Sequence, residues 1–291
     1  MGNICMVDDF GSLKSVHMIR WPAIKTKIDA VYLSDYYAGL DQRTAIHRDI
    51  AETADQLRRW LNPVVDLSGF PHAYHVNGTH NSIERWLAGE KRPIFCFRGE
   101  YPYAAALTDR INTVDSVDQI PEHAVVYLSN PFSSTGRYDH RYHQITCPVV
   151  LDLAYVGTTD QHSIEITSNT EQVFWSASKC FGLGCFRTGY RFTRAADPMQ
   201  DILARVGYAN WSSVRMLRLA LETYGPFDTW QLLREHYQSI LSCNDLEPSH
   251  SYLLGISHDQ QQHGVFARED GTLRVPVGRV LDSMVQQLQL I

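Results

Sequence analysis

A lysine, Lys179, stands in "FWSASKCFGLGCFRTGYRF" (174–192), a stretch nearly free of other charge. Ser176, Ala177 and Ser178 precede it, Gly182 and Gly184 follow, and Arg187 comes eight positions later. A lysine is costly to bury unless its charge is paired or lost. Such a residue is either a nucleophile held in a pocket or a side chain snorkelling out of an apolar strand end. Three other fragments carry groups able to do chemistry. "LSNPFSSTG" holds Asn130 and Pro131, and "VVLDLAYVG" holds Asp152 and Tyr155 three residues apart. "NGTHNSIERWLAG" opens on Gly78, Thr79 and His80. A glycine-led helix start presents free N–H groups and a positive dipole end to an anion such as phosphate.

Those residues need elements to hold them. Apolar residues at Ile46, Ile50, Ala54, Leu57 and Leu61 predict an amphipathic helix over 41–61. Ile83, Trp86 and Leu87 predict a second after Thr79. Five strand-length apolar runs follow, at 93–97, 124–129, 147–155, 172–178 and 187–194. Several are nearly continuous in apolar character, as in a sheet covered on both faces. The gaps between most of them leave room for crossover helices. The expected fold class is therefore α/β, with a mostly parallel central sheet over residues 1–195. Ligands collect at the carboxyl ends of strands in such sheets, so Asn130, then Asp152 with Tyr155, then Ser176, Ser178 and Lys179 are expected at three such ends. After Pro198 the texture changes to a smaller α+β part, 196–291. It holds two long helices, a pair of strands around Asp270-Gly271, and a last helix.

Composition narrows the function. With 44% hydrophobic and 20% charged residues the chain reads as globular, and a net charge of -6 argues against nucleic acid as a partner. No apolar run approaches the ~20 residues that span a bilayer. The start "MGNICMVDDF" lacks a signal-peptide pattern, and Met6 stands where a myristoylation motif on Gly2 wants Ser or Thr. The six cysteines are scattered without a Cys-x-x-Cys pair, which suits reduced thiols and a cytoplasmic setting. His140 and His143 have no acidic or thiol partner at zinc spacing, so no metal is expected.

Taken in order, Asn130-Pro131 with Thr135-Gly136, Asp152-Leu153-Ala154-Tyr155, and Ser176 to Arg187 resemble the motifs of the fold-type-I pyridoxal-phosphate enzymes. The likeness is nearest to the class I/II aminotransferases, the group that includes histidinol-phosphate aminotransferase. It runs from about Gly78 to the C-terminus. Each residue alone has a plainer role: Asp152 as a cap or ion-pair partner, Asn130-Pro131 as a turn, Tyr155 as a core ring. Two rival motifs fail. Ser176-x-x-Lys179 lacks the Ser-Asp-Asn and Lys-Thr-Gly partners of β-lactamases, and "GLGCFR" has Arg187 in place of the third glycine of a dinucleotide fingerprint.

The resemblance implies pyridoxal 5'-phosphate as cofactor, joined as a Schiff base to Lys179, which then moves the Cα proton of the substrate. It implies that Asp152 faces the pyridine nitrogen and that Asn130 and Tyr155 hydrogen-bond the ring oxygen. Gly78, Thr79, His80, Ser176, Ser178 and Arg187 are implied around the phosphate, and Tyr101 as the stacked ring, with Tyr103 as the fallback. In "TLRVPVG", Arg274 is implied as the clamp for the substrate carboxylate, with Arg279 near enough to compete for that role. Transamination between an amino acid and a 2-oxo acid is the leading expectation. A lyase, cyclase or decarboxylase follows, then a cofactor-binding protein without turnover. A homodimer is implied, with Tyr36 or Tyr37 reaching the neighbouring site. The chain is short for the family and lacks a clear form of its N-terminal entrance segment.

Overall fold

Strands buried on both faces cannot alternate in polarity, and here they do not. All five residues of "VVYLS" and all four of "VVLD" are buried. A computed structural model describes residues 16–35 and 43–288; Gly2, Met6, Tyr36 and Tyr37 lie outside the described residues. The chain begins with α1 (Pro22–Asp35), α2 (Arg43–Leu61), β1 (His72–Val76), α3 (Thr79–Gly89), β2 (Ile94–Phe97), α4 (Tyr103–Leu107) and β3 (Ile111–Val114). It continues with β4 (Val125–Ser129), β5 (Val149–Asp152), β6 (Thr170–Ser176), α5 (Ala177–Cys180), β7 (Gly189–Thr193) and α6 (Pro198–Arg205). It closes with α7 (Trp211–Thr223), α8 (Asp228–Cys243), β8 (Glu247–Pro248), β9 (Leu254–Ser257), α9 (Gln260–His263), β10 (Leu273–Pro276) and α10 (Gly278–Leu288).

The central sheet has seven strands in the order β1-β7-β6-β5-β4-β2-β3. The pairs from β3 through β6 are parallel, while β7 runs antiparallel to both β6 and β1. The fold class is thus the expected α/β, with a mostly parallel sheet. On one face, Ile83, Trp86 and Leu87 of α3 pack on Tyr127, Val150 and Phe174. On the other, Val126, Leu128, Leu151 and Trp175 join a core that takes in Leu57 of α2, Leu217 of α7 and Leu233 of α8. Burying such side chains contributes about 1.5–3 kcal/mol each.

Two expectations need correction. The links from β4 to β5 and from β5 to β6 carry no crossover α-helix; the first holds only a 3-10 turn, His140–Gln144. Both stretches lack a 3.6-residue apolar period, and helices from elsewhere in the chain cover the sheet instead. The strand pair around Asp270-Gly271 is likewise absent. Its first limb is a 3-10 turn, Gly264–Phe266, joined by one isolated bridge, Ala267 to Leu273. β10 pairs with β9, in a three-stranded antiparallel sheet ordered β10-β9-β8. No helix among the described residues is long and apolar enough to cross a membrane.

Candidate active site

Parallel register sets Ser129 of β4 beside Asp152 of β5, and Asp152 beside Phe174 of β6. β4 and β5 therefore end level, β6 runs two residues further to Ser176, and a cavity of about 300 Å³ opens there. Thr79, His80, Tyr101, Asp152, Tyr155, Ser176, Ser178, Lys179, Arg187 and Arg274 all line it. Gly78 and Asn130 do not. Asn130 sits just behind, its N–H on the Asp152 carbonyl at 2.9 Å and its Oδ1 accepting from the Asp139 N–H at 3.0 Å.

β6 ends by capping a short helix. Ser176 is the N-cap of α5, its Oγ taking the Ser178 N–H at 3.2 Å and donating to Ser178 Oγ at 2.9 Å. That turn carries Lys179, whose Nζ lies 3.6 Å from the centre of the Tyr155 ring. Tyr155 is buried, which alone would raise its hydroxyl. The charges of Lys179 and Arg274 outweigh burial and hold it below the usual tyrosine value. Asp152 is buried and accepts from the Tyr127 hydroxyl at 2.7 Å and the Ala154 N–H at 2.9 Å. Burial pushes its carboxyl up, against the pull of Tyr127 and Lys179. A cation placed in the cavity would supply the counter-charge that a buried carboxylate needs.

Opposite, Gly78 caps α3 at φ 81, where a residue with a Cβ is strained. A Cβ there would stand 3.5 Å from Arg187 Nη2 and 3.6 Å from Ser176 Oγ. Arg187 itself sits at φ 51, a conformation costing about 1–3 kcal/mol in a non-glycine residue. The result is a cradle of a guanidinium, two hydroxyls and the start of an eleven-residue helix, chemistry suited to a phosphate. His80 packs against both Tyr101 and Tyr103, with centroids 5.6 Å and 4.0 Å away, and its Nε2 meets the Tyr101 hydroxyl at 2.5 Å. Burial, then Arg187, lowers the pKa of His80. Of the two tyrosines, Tyr101 lines the cavity; Tyr103 bonds Glu84 instead.

Arg274 lines the far side, buried, donating to the Ser133 carbonyl at 2.6 Å and meeting the Tyr155 hydroxyl at 3.4 Å. Arg279 is exposed at the start of α10 and does not line the cavity. Several neighbours are not among the residues that the sequence singles out. Arg268 lines the cavity, with its pKa lowered by burial and by Arg274. Glu100 is buried and accepts from the Ser129 N–H at 2.7 Å, the Ser129 hydroxyl and the Tyr101 N–H at 2.6 Å. Burial pushes its carboxyl up to about 7. Val16 and Met18 also line the cavity, so an N-terminal segment does reach the site. The acidic residue next to Tyr101 in "GEYPY" is the one sequence signal that points to Glu100.

No family model matches the chain, and no curated protein matches it. Solved structures do. Histidinol-phosphate aminotransferase from Sinorhizobium meliloti, in complex with pyridoxal-5'-phosphate, aligns with TM-score 0.65 at 15% identity, over 92% of this chain and 87% of that one. A probable N-succinyldiaminopimelate aminotransferase from Thermus thermophilus gives 0.63 at 16%, over 96% and 92%. Tyrosine aminotransferase from Leishmania infantum gives 0.61 at 14%, over 92% and 90%. The fold is the one these aminotransferases share. Such identities speak for fold alone.

Proposed function

We propose that the chain is a pyridoxal-phosphate-dependent aminotransferase that uses Lys179. One observation carries this reading: Lys179, a buried Asp152 and an anion cradle around Arg187 converge in a single cavity at the ends of β4, β5 and β6. The cofactor, when bound, supplies an electron sink for charge developing at the substrate α-carbon. Lys179 Nζ would hold the cofactor's aldehyde and would supply the base for the substrate α-proton. Asp152 keeps a proton on the ring nitrogen, and Tyr127 orients that carboxylate. Tyr155, its proton loosened by Lys179 and Arg274, donates toward the ring oxygen. Ser176, Ser178, Arg187 and the N–H groups after Gly78 hold the phosphate. Tyr101 flanks the ring, and Arg274 receives the substrate carboxylate.

Incubating the cofactor-loaded protein with a panel of amino acids tests this. A 2-oxo acid should appear, with the amine form of the cofactor. Ammonia or carbon dioxide in their place would make the protein a lyase or a decarboxylase. The proposal includes a homodimer, for which a monomer with full activity in light scattering is the contrary result. It also includes a cytoplasmic setting and a division near residue 195 into a large cofactor-binding part and a smaller C-terminal part.

A further inference from the structure

Residues 16–21 run as a strap against the cavity, which Val16 and Met18 line, and one carboxylate in α10 holds most of it. Asp282 is 2% exposed. Its Oδ1 accepts from the Arg20 N–H at 2.8 Å. Its Oδ2 accepts from Arg20 Nε at 2.9 Å, Arg20 Nη2 at 2.7 Å and His17 Nε2 at 3.0 Å. Gln286, one turn on, bonds the Arg20 carbonyl as well as Asp282. A buried carboxylate costs several kcal/mol unless it is partnered. Apart from Gln286, the partners shown for Asp282 belong to the strap. The far end is pinned by Trp21, whose Nε1 donates to the Cys180 carbonyl at 2.9 Å, one residue past Lys179.

The surroundings are cut to fit. A Cβ at Gly182 would strike the Ile19 carbonyl, one at Gly184 the Met18 side chain, and one at Gly278 the His17 carbonyl. The side chains divide between two sides: His17 reaches Asp282, while Val16 and Met18 line the cavity. Asp282 itself does not line it.

We propose that Asp282 is a positioning residue that seats Val16 and Met18 as a fixed apolar wall of the cavity, so that the site selects amino acids with apolar side chains. The selection rests on the reading of the preceding section; the seating does not. Asp282 acts on substrate only through the strap.

Two readouts separate these parts. Hydrogen exchange on cofactor-free protein reports the seating. Asp282→Asn should speed exchange of the amides of residues 16–21 by at least tenfold. Arg20→Gln, whose side chain is 70% exposed and safe to change, should do the same. Binding of L-leucine and of its near-isostere L-asparagine to the cofactor-loaded protein, read by absorbance, reports selection. Wild type should favour leucine by at least tenfold. That ratio should fall about tenfold in Asp282→Asn, in Arg20→Gln and in Met18→Gln, while only the first two change exchange. Unchanged exchange in both clasp variants overturns the seating. An unchanged ratio in all three variants overturns the selection. A wild-type protein that takes up no pyridoxal phosphate overturns the functional reading and the selection with it, and exchange still decides the seating.

Discussion

The two walls of the cavity are built differently. The wall proposed for the cofactor comes mainly from neighbouring strand ends and the turns after them: Asp152 closes β5, Ser176 closes β6, and Lys179 and Arg187 follow within eleven residues, with Thr79 of α3 and Tyr101 joining from earlier in the chain. Sheet register sets Asp152 and Ser176, and the turn through α5 sets Lys179 and Arg187. The wall proposed for the substrate is assembled from distant segments, with Val16 and Met18 near one end of the chain and Arg268 and Arg274 near the other. Only tertiary docking brings these together. The residues proposed for the cofactor are therefore tied mainly to the sheet, whereas those proposed for the substrate come from elsewhere, the two meeting where Arg274 lies 3.4 Å from the Tyr155 hydroxyl.

The largest effect should come from the cofactor wall. Lys179→Ala should cut turnover by at least ~10²–10⁴-fold, the range for removing a positioned acid–base group. Single-turnover measurement with an amino acid accepted by wild type checks this. Asp152→Asn should lower turnover by about 10²-fold, or ~2.7 kcal/mol, while much of the cofactor binding remains. It should also alter the bound cofactor's absorbance, which unchanged turnover and spectrum would refute.

Arg274→Lys probes the other wall. It keeps the charge and loses the planar fork. It should cost ~1.5–3 kcal/mol, more than tenfold in kcat/KM, with the cofactor spectrum intact. Arg279→Lys should do little, since that side chain is exposed at the start of α10. A spectral change in Arg274→Lys would break the separation of the two walls.

An effect on stability rather than turnover concerns Glu100, which ties Ser129 to Tyr101. Its folded carboxyl lies near 7, above the ordinary 4.5, so the folded state holds the proton more tightly. Stability should therefore fall as pH rises from about 4.5 to 7, by at most ~1.4 kcal/mol per pH unit from this group. Glu100→Gln should flatten that slope in urea melts at pH 5 and pH 8. An equal slope in both proteins would show that Glu100 does not titrate in this window.

Legibility follows the same divide. The five apolar runs, the 3.6-residue period of α2 and the glycine ahead of α3 are local signals, and each corresponds to the expected element. β1 escapes a pattern reading because His72 and His75 make "HAYHV" look polar; in the fold it lies along β7, with His75 set edge-on against Tyr190. The Asp270-Gly271 turn reads as a hairpin because a turn dipeptide does not say which strand pairs with β10. That partner, β9, is four residues long and lies outside the five apolar runs. Motif spacing places Lys179, Asp152 and Arg187 in the cavity. Asn130 sits behind the lining, its Oδ1 accepting from the Asp139 N–H nine residues on. Motif spacing does not find Arg268 or the strap, whose contacts join segments far apart in sequence, and only the acidic residue beside Tyr101 points to Glu100.

The proposed function turns on Lys179 as the residue that carries the cofactor. Loading the protein with pyridoxal phosphate, reducing it with borohydride and mapping the peptides tests it most directly. The visible absorbance should bleach, and the pyridoxyl group should be found on Lys179. A label on Lys25, Lys27 or Lys91 instead, or no label at all, would contradict the account.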